Sequence, residues 1–272
     1  MPGGPAERLE RYRADPAALM VDAGFAPDPW QAALLRSTDP RVLMLCARQV
    51  GKSQTTALLA LHTALTRPGS TVTLVAPVEE QANELLRKVT QAYRAIGAPA
   101  GTVREAATRL ELGNGSRVLA LPGKESRMRS YSSALLVIDE AARVPDDVMN
   151  AASPTMAVSK GRLVALSTAF AKSGWFYDAW TDLAEPYLRL SITARECPRI
   201  PAAFLASERR KLGQRWFAME YLNVFGDDVA AVFSTDDIRA AVSAAVKPLF
   251  PVAAEEPDEY PTAAPVLPLF PR

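Results

Sequence analysis

Histidine and cysteine are scarce in this 272-residue chain. His62 is the one imidazole, and Cys46 and Cys197 are the two thiols. One histidine excludes a multi-histidine metal site and argues against His-based catalysis. Two cysteines cannot build a zinc site or a disulfide framework. Neither sign of charge is in excess, with 31 Lys+Arg against 30 Asp+Glu and a formal net charge of +1. No global basic footprint exists, so any nucleic-acid binding must come from a local patch. No apolar run reaches the roughly 18 residues of a membrane span. The opening stretch MPGGPAERLERYRADP lacks the apolar core of a secretory signal. A cytoplasmic protein that does not enter the membrane is the resulting expectation. A 49% hydrophobic, 22% charged chain of this length can bury a core as one large or two small domains.

The two ends differ from the middle. Seven of the 22 prolines fall at 248, 251, 257, 261, 265, 268 and 271. That density blocks helix and central strand, so a disordered, Pro-rich tail is expected, solvated or used as a docking peptide. Between about 41 and 225, apolar runs alternate with helical periodicity. RVLMLCA (41–47), STVTLVAP (70–77), ALLVIDE (134–140) and GRLVALST (161–168) read as buried strands. SQTTALLALHTAL (53–65) and EEQANELLRKVTQAYRAIG (79–97) read as helices, the second stopped by Gly97. The alternating residues of 108–121 around Asn114-Gly115 read as a hairpin. Residues 201–225 read as helices on the sheet edge. This order predicts an α/β domain with a central, mainly parallel sheet flanked by helices. Three segments follow: 1–24, helical or flexible; 25–235, the main domain; and 236–272, a short helix and the tail. Parallel-sheet enzymes place their chemistry at the carboxyl ends of the strands.

After the first strand comes Ala47-Arg48-Gln49-Val50-Gly51-Lys52-Ser53, and then a helix. This nearly fits the P-loop pattern, with Cys46 where the first glycine usually stands. Gly51 lets backbone amides turn toward a phosphate, and Lys52 would reach the β/γ-phosphates. Ser53 would offer its hydroxyl to Mg²⁺ at a helix N-terminus whose dipole favours an anion. Gln49 and Gln54 flank these residues as further candidates for nucleotide contact. LLVIDEAA (135–142) ends an apolar strand on Asp139 and Glu140. The first acid would hold Mg²⁺ and the second would polarise the water attacking the γ-phosphate. Together the two motifs predict a P-loop NTPase fold of the RecA-like (ASCE) kind that hydrolyses ATP.

Other segments allow two readings each. Gln31, in PDPWQAALL, can read an adenine edge with its amide or cap a surface helix. APVEEQANELL (76–86) is similar to the nucleic-acid-facing segment of translocating helicases, and it also reads as a plain amphipathic helix. Ser167 and Thr168 can sense the γ-phosphate or cap a strand end. Lys124, Arg127 and Arg129 can contact DNA phosphates or a neighbouring subunit's nucleotide, or line a solvated loop.

In this order the motifs resemble the ATPase domain of the large terminase subunit, the DNA-packaging motor of tailed bacteriophages. The similar stretches are PWQ (29–31), ARQVGKS (47–53), TLVAPVEEQA (73–82), SRMRSYSSALLVIDEAARV (126–144), ALSTAFAKSGWFYDAW (165–180) and KLGQRWFAMEYLNVF (211–225). They span roughly 25–235. The resemblance implies ATP with Mg²⁺ and double-stranded DNA as substrate. It also implies a homo-oligomeric ring on the portal protein of a procapsid, working with a small terminase subunit. By the same resemblance Lys52 and Ser53 bind phosphate and metal, Asp139 binds metal, and Glu140 activates water. Arg48 matches an arginine that stabilises transition-state charge. Ser167 and Thr168 match the motif coupling hydrolysis to movement. Arg127, Arg129 and Arg143 are candidates to reach a neighbour's site or DNA.

That family usually carries a second, C-terminal nuclease domain of the RNase H type. Here VFSTDDIRAAV (232–242) leads into the tail, so the expectation is no nuclease activity in this chain, with a separate nuclease chain as a candidate partner. Two alternatives stay open. One is another P-loop ATPase that remodels DNA; the other is a non-hydrolysing prophage remnant that binds DNA or portal.

Overall fold

The computed structural model describes residues 4–125 and 131–227. Arg127, Arg129 and the whole expected segment 236–272 lie outside the described residues. Three short helices open the fold: α1 (Pro5–Ala14), α2 (Pro16–Asp22) and α3 (Pro29–Arg36). Each begins with proline, whose missing N–H and fixed φ suit a first helical turn. The Asp15 carboxylate caps α2 by accepting from the Ala17 N–H at 3.0 Å.

Eight strands form one sheet. They are β1 (Arg41–Cys46), β2 (Thr71–Ala76), β3 (Thr102–Ala106), β4 (Arg109–Leu112), β5 (Arg117–Pro122), β6 (Leu135–Asp139), β7 (Arg162–Ser167) and β8 (Leu188–Ile192). Their spatial order is β3-β4-β5-β2-β6-β7-β1-β8. The six strands from β5 to β8 run parallel, and the β3-β4-β5 edge is antiparallel. Helices α4 (Lys52–Thr66) and α5 (Glu79–Ala95) follow β1 and β2. Helices α6 (Asp146–Ser159), α7 (Trp175–Thr181) and α8 (Ala202–Leu222) complete the layers.

Strand periodicity divides the core in two. Val42, Met44 and Cys46 of β1 face one apolar cluster, with α4 and α5; Leu43 and Leu45 face the other, with α6 and α7. Leu135 and Val137 of β6 join the first cluster, and Leu136 and Ile138 the second. Both faces are covered, which is why these strands read as continuous apolar runs. No helix among the described residues is long and apolar enough to cross a membrane.

Residues 4–24 carry the helices α1 and α2 and pack on the rest of the chain, with Tyr12, Leu19 and Met20 buried in the first cluster. His62 of α4, through Nε2, hydrogen-bonds the Tyr12 carbonyl at 2.9 Å and ties α1 to the domain. Strands β3 and β8 were not foreseen. β3 is exposed along its whole length, so it has no apolar alternation. Ala202–Leu222 falls into two helical pieces, as read, joined at Gly213, whose backbone is non-helical (φ 75°), and the C-terminal piece reaches the phosphate loop as well as the sheet edge.

Gly161, just before β7, carries a testable consequence. A Cβ there would lie 2.1 Å from the Ser133 carbonyl oxygen, a backbone atom that cannot step aside. Gly161→Ala is expected to cost about 1–3 kcal/mol. At this chain size that lowers the melting temperature by roughly 2–4 °C per kcal/mol. A thermal melt with an unchanged midpoint would contradict the packing described for the β6–β7 entry.

Candidate active site

The carboxyl ends of β1, β7 and β6 lie side by side, because Leu45 is level with Ser167 and Leu166 with Asp139. The loop after β1, the end of β7 and the acids of β6 therefore meet at one edge. The Ala47 N–H donates to the Ile192 carbonyl at 2.8 Å and holds the start of the loop against β8. The chain then turns through two left-handed residues, Gln49 (φ 61°) and Gly51 (φ 96°). Gly51 is required by its φ, which disfavours a side chain, and a Cβ there would also push on the end of the Gln31 side chain, 2.8 Å away at Nε2. Cys46, at the place usual for an early glycine, is fully buried in the core, and burial pushes its thiol up to about 12. It is a neutral packing residue.

Gly51 is the N-cap of α4, so the helix opens on Lys52 and Ser53. The Lys52 side chain is only 10% exposed, and its Nζ lies 3.3 Å from Glu140 Oε1. Ser53 Oγ donates to Asp139 Oδ2 at 2.9 Å. Glu140 is held in a left-handed conformation (φ 50°), and its N–H donates to Asp139 Oδ1 at 2.9 Å. Ser167 Oγ accepts from the Ala142 N–H at 3.2 Å, linking β7 to the turn that follows the two acids. Thr168 Oγ1 is buried with no hydrogen-bond partner. Such an orphan polar atom invites a polar guest.

The donor set fits a nucleotide with a divalent cation. A glycine turn leads into a helix N-terminus with a lysine for phosphate. Beside it stand a hydroxyl and a carboxylate, the hard oxygen donors that Mg²⁺ takes. Burial raises the Asp139 pKa, opposed chiefly by the nearby Lys52 and reinforced by Glu140. The folded chain therefore holds this proton more tightly than the unfolded chain. Stability is full below the ordinary carboxylate pKa and falls as pH rises through the raised folded value. Asp139→Asn removes that cost. At neutral pH without nucleotide it is expected to gain about 0.5–2 kcal/mol, the usual size of such trade-offs. A lower melting temperature for this variant would contradict the assignment.

The remaining candidates divide. Gln31 is 2% exposed, and its Oε1 accepts from the Asp28 N–H at 2.8 Å, closing a capping box on α3. Its Oε1 makes the capping contact, and its Nε2 lies beside Gly51 of the phosphate loop. Gln49 is exposed and Gln54 half-buried. Arg48 turns its guanidinium to Glu220 of α8, Nε donating to Oε2 at 2.7 Å. Arg143, a candidate to reach a neighbour's site or DNA, lies beside Glu140 of its own chain. Nη1 donates to Glu140 Oε2 at 2.9 Å, and the guanidinium stacks on the Phe170 ring at 4.7 Å. The acidic start of α5 borders the cleft, with Glu80 and Glu84 lining it beside Ser53 and Asp139.

Three partners escaped sequence reasoning. Glu220 is one. The others are Asp28 and Arg199, paired through two bonds of 2.6 Å, while Arg199 Nη2 also donates to the Val50 carbonyl at 3.1 Å. Arg199 thereby straps the phosphate loop to α3. Its partners lie 171 and 149 residues away. One signal existed for Glu220: it is a lone acid in the apolar run WFAMEYL.

The sequence profile described as "Terminase large subunit, T4likevirus-type, N-terminal" matches residues 43–240. The large terminase subunit of Thermus virus P23-45 is 28% identical over 175 residues, covering 57% of this chain and 36% of that protein. The chain thus spans about a third of the length of the curated relatives it matches. Among solved structures, the Thermus phage P74-26 large terminase ATPase domain superposes with a TM-score of 0.68 at 22% identity, over 76% of this chain and 96% of that one. The large terminase of another thermophilic bacteriophage, in complex with ATP-gamma-S, gives 0.58 at 14% identity, over 69% and 48%. The fold is shared, and with residues 43–240 matched, the chain belongs to the family of large terminase subunit N-terminal domains.

Proposed function

We propose that this chain is the ATP-hydrolysing motor of viral DNA packaging, translocating double-stranded DNA into a procapsid. The observation that carries the reading is the meeting of two motifs. The Lys52 and Glu140 side chains, and those of Ser53 and Asp139, stand within 3.3 Å of each other at the ends of β1 and β6. Bound Mg²⁺ supplies charge neutralisation between phosphate oxygens. The chain's own residues do the rest. Loop amides and Lys52 orient the phosphates, Ser53 and Asp139 hold the cation, and Glu140 accepts a proton from the attacking water. Family membership and the ATP-gamma-S complex of a protein of like fold support the nucleotide.

The same membership supports a reading of the wider setting. Packaging takes place in the cytoplasm of a bacterial host, on the portal protein, in a homo-oligomeric ring that works with a small terminase subunit. Arg127, Arg129 and Arg143 are the arginines proposed to act on a neighbour's nucleotide or on DNA. Purified chain should release phosphate from ATP only with Mg²⁺, and faster with duplex DNA and a portal protein. A rate that ignores both would contradict a packaging motor.

A further inference from the structure

The entries to β1, β6 and β7 lie side by side at the end of the sheet opposite the phosphate loop, because Arg41 is level with Leu163 and Leu135 with Arg162. Helices α1, α3 and α4 line the rest of a cavity of about 570 Å³ there. Six groups in its wall can carry positive charge: Arg13, Arg36, His62, Arg67, Lys160 and Arg162. No carboxylate among the described residues lines it. Two of the six are paired, Arg13 with Glu10, and Arg36 through two bonds of 2.9 Å with Asp15. Arg67, Lys160 and Arg162 have no ion-pair partner among the described residues. Arg162 Nε donates to the Asp39 carbonyl at 2.9 Å, while its Nη2 is buried with no hydrogen-bond partner.

We propose that this cavity is a second anion site, built for a small molecule that carries a phosphate group. Like charges gathered in one wall repel, and a buried charged donor without a partner costs free energy. An anion in the cavity relieves both. Burial pulls the Arg162 pKa down to about 10, opposed by Asp39 and reinforced by Arg67. Burial also lowers the His62 pKa, opposed by its bond to the Tyr12 carbonyl and reinforced by Arg67 and Arg162. At neutral pH the imidazole is therefore uncharged, and the arginines and the lysine supply the charge. Guanidinium forks match phosphate oxygens two at a time. The volume falls within the roughly 300–1,000 Å³ of small-molecule sites. Leu35, Leu59 and Leu135 offer an apolar wall to the rest of the molecule. A stiff duplex reaches only the rim of such a cavity. None of this depends on the phosphate loop, whose residues stand at the other end of the strands.

Inorganic pyrophosphate without divalent cation is the probe, followed by isothermal titration of the full chain at physiological salt. Two sites are expected, the cavity and the phosphate loop. Lys52→Ala should weaken the loop site and leave the cavity. Arg67→Gln with Lys160→Asn should weaken the cavity site by about tenfold and leave the loop. Both side chains are exposed, and asparagine tolerates the left-handed backbone of residue 160 (φ 49°), so the fold should survive. Thermal melts give a second reading. Pyrophosphate should raise the midpoint of the Lys52→Ala chain, and should do so far less once the two cavity substitutions are added. A short DNA duplex, titrated in parallel, separates the sources of phosphate, and its affinity should be the same with and without the cavity substitutions. Pyrophosphate binding to the Lys52→Ala chain that ignores those substitutions, or no binding at all, overturns the proposal. A fall in duplex affinity as large as that in pyrophosphate affinity, or confined to the duplex, also overturns it, because the cations would then serve a nucleic-acid backbone. A cavity site that responds as expected while Lys52→Ala changes nothing would count against the phosphate loop and leave the cavity standing.

Discussion

Glu140→Gln is expected to bind ATP and fail to turn it over. Glutamine keeps the length of the side chain and can occupy the same left-handed backbone position, but it has no carboxylate to accept the proton of the attacking water. General-base catalysis of this kind is worth about 10²–10⁴-fold, so kcat should fall by that factor. Affinity should hold or rise, because Lys52 no longer has an ion pair at 3.3 Å to leave before meeting phosphate. The signature is a fall in kcat without a rise in KM, the pattern of an interaction made only in the transition state. Equilibrium nucleotide binding and steady-state phosphate release on one preparation check it. Hydrolysis at the wild-type rate would remove Glu140 from the mechanism.

Lys52→Ala should act at the earlier step. Its ammonium is nearly buried at the head of α4, where the proposed mechanism has it meet the phosphates. Charge-assisted hydrogen bonds of this kind contribute about 1.5–3 kcal/mol, or roughly 10–10²-fold in nucleotide affinity. The fold should survive. Glu140 loses one cation but is 22% exposed and keeps Arg143 at 2.9 Å, so it is not stranded. Isothermal titration with ATP and Mg²⁺ should show the loss, and a thermal melt should show a shift of only a few degrees. Unaltered affinity would place the phosphates elsewhere.

The sequence disclosed this fold where one physical cause acts locally. β1, β2, β6 and β7 are buried on both faces and so read as unbroken apolar runs. The hairpin was readable from Asn114-Gly115. Gly115 has φ 81°, and Asn114 Oδ1 accepts from the Ser116 N–H at 3.0 Å. Gly51, Lys52, Ser53, Asp139 and Glu140 could be singled out in the sequence because loop geometry and metal chemistry fix their types and spacing, and the structure brings them together. Where the cause is a distant pairing, local pattern fell silent. Arg48 was legible as a loop residue, yet its partner Glu220 lies 172 positions on. Arg143 had no local mark to tell an inward from an outward side chain; its direction is set by Glu140, Phe170 and Glu220 together. The exposed β3 escaped for a related reason, since a strand with no buried face carries no alternation to read.

The central claim is that Lys52, Ser53, Asp139 and Glu140 form one site that cleaves the γ-phosphate of ATP. Single-turnover phosphate release, with protein in excess over ATP, tests this most directly, because it isolates chemistry from product release and from ring assembly. The account predicts Mg²⁺-dependent release of the γ-phosphate by the wild type, with Glu140→Gln retaining bound, uncleaved ATP. Nucleotide that binds the wild type with Mg²⁺ and is recovered intact would contradict it.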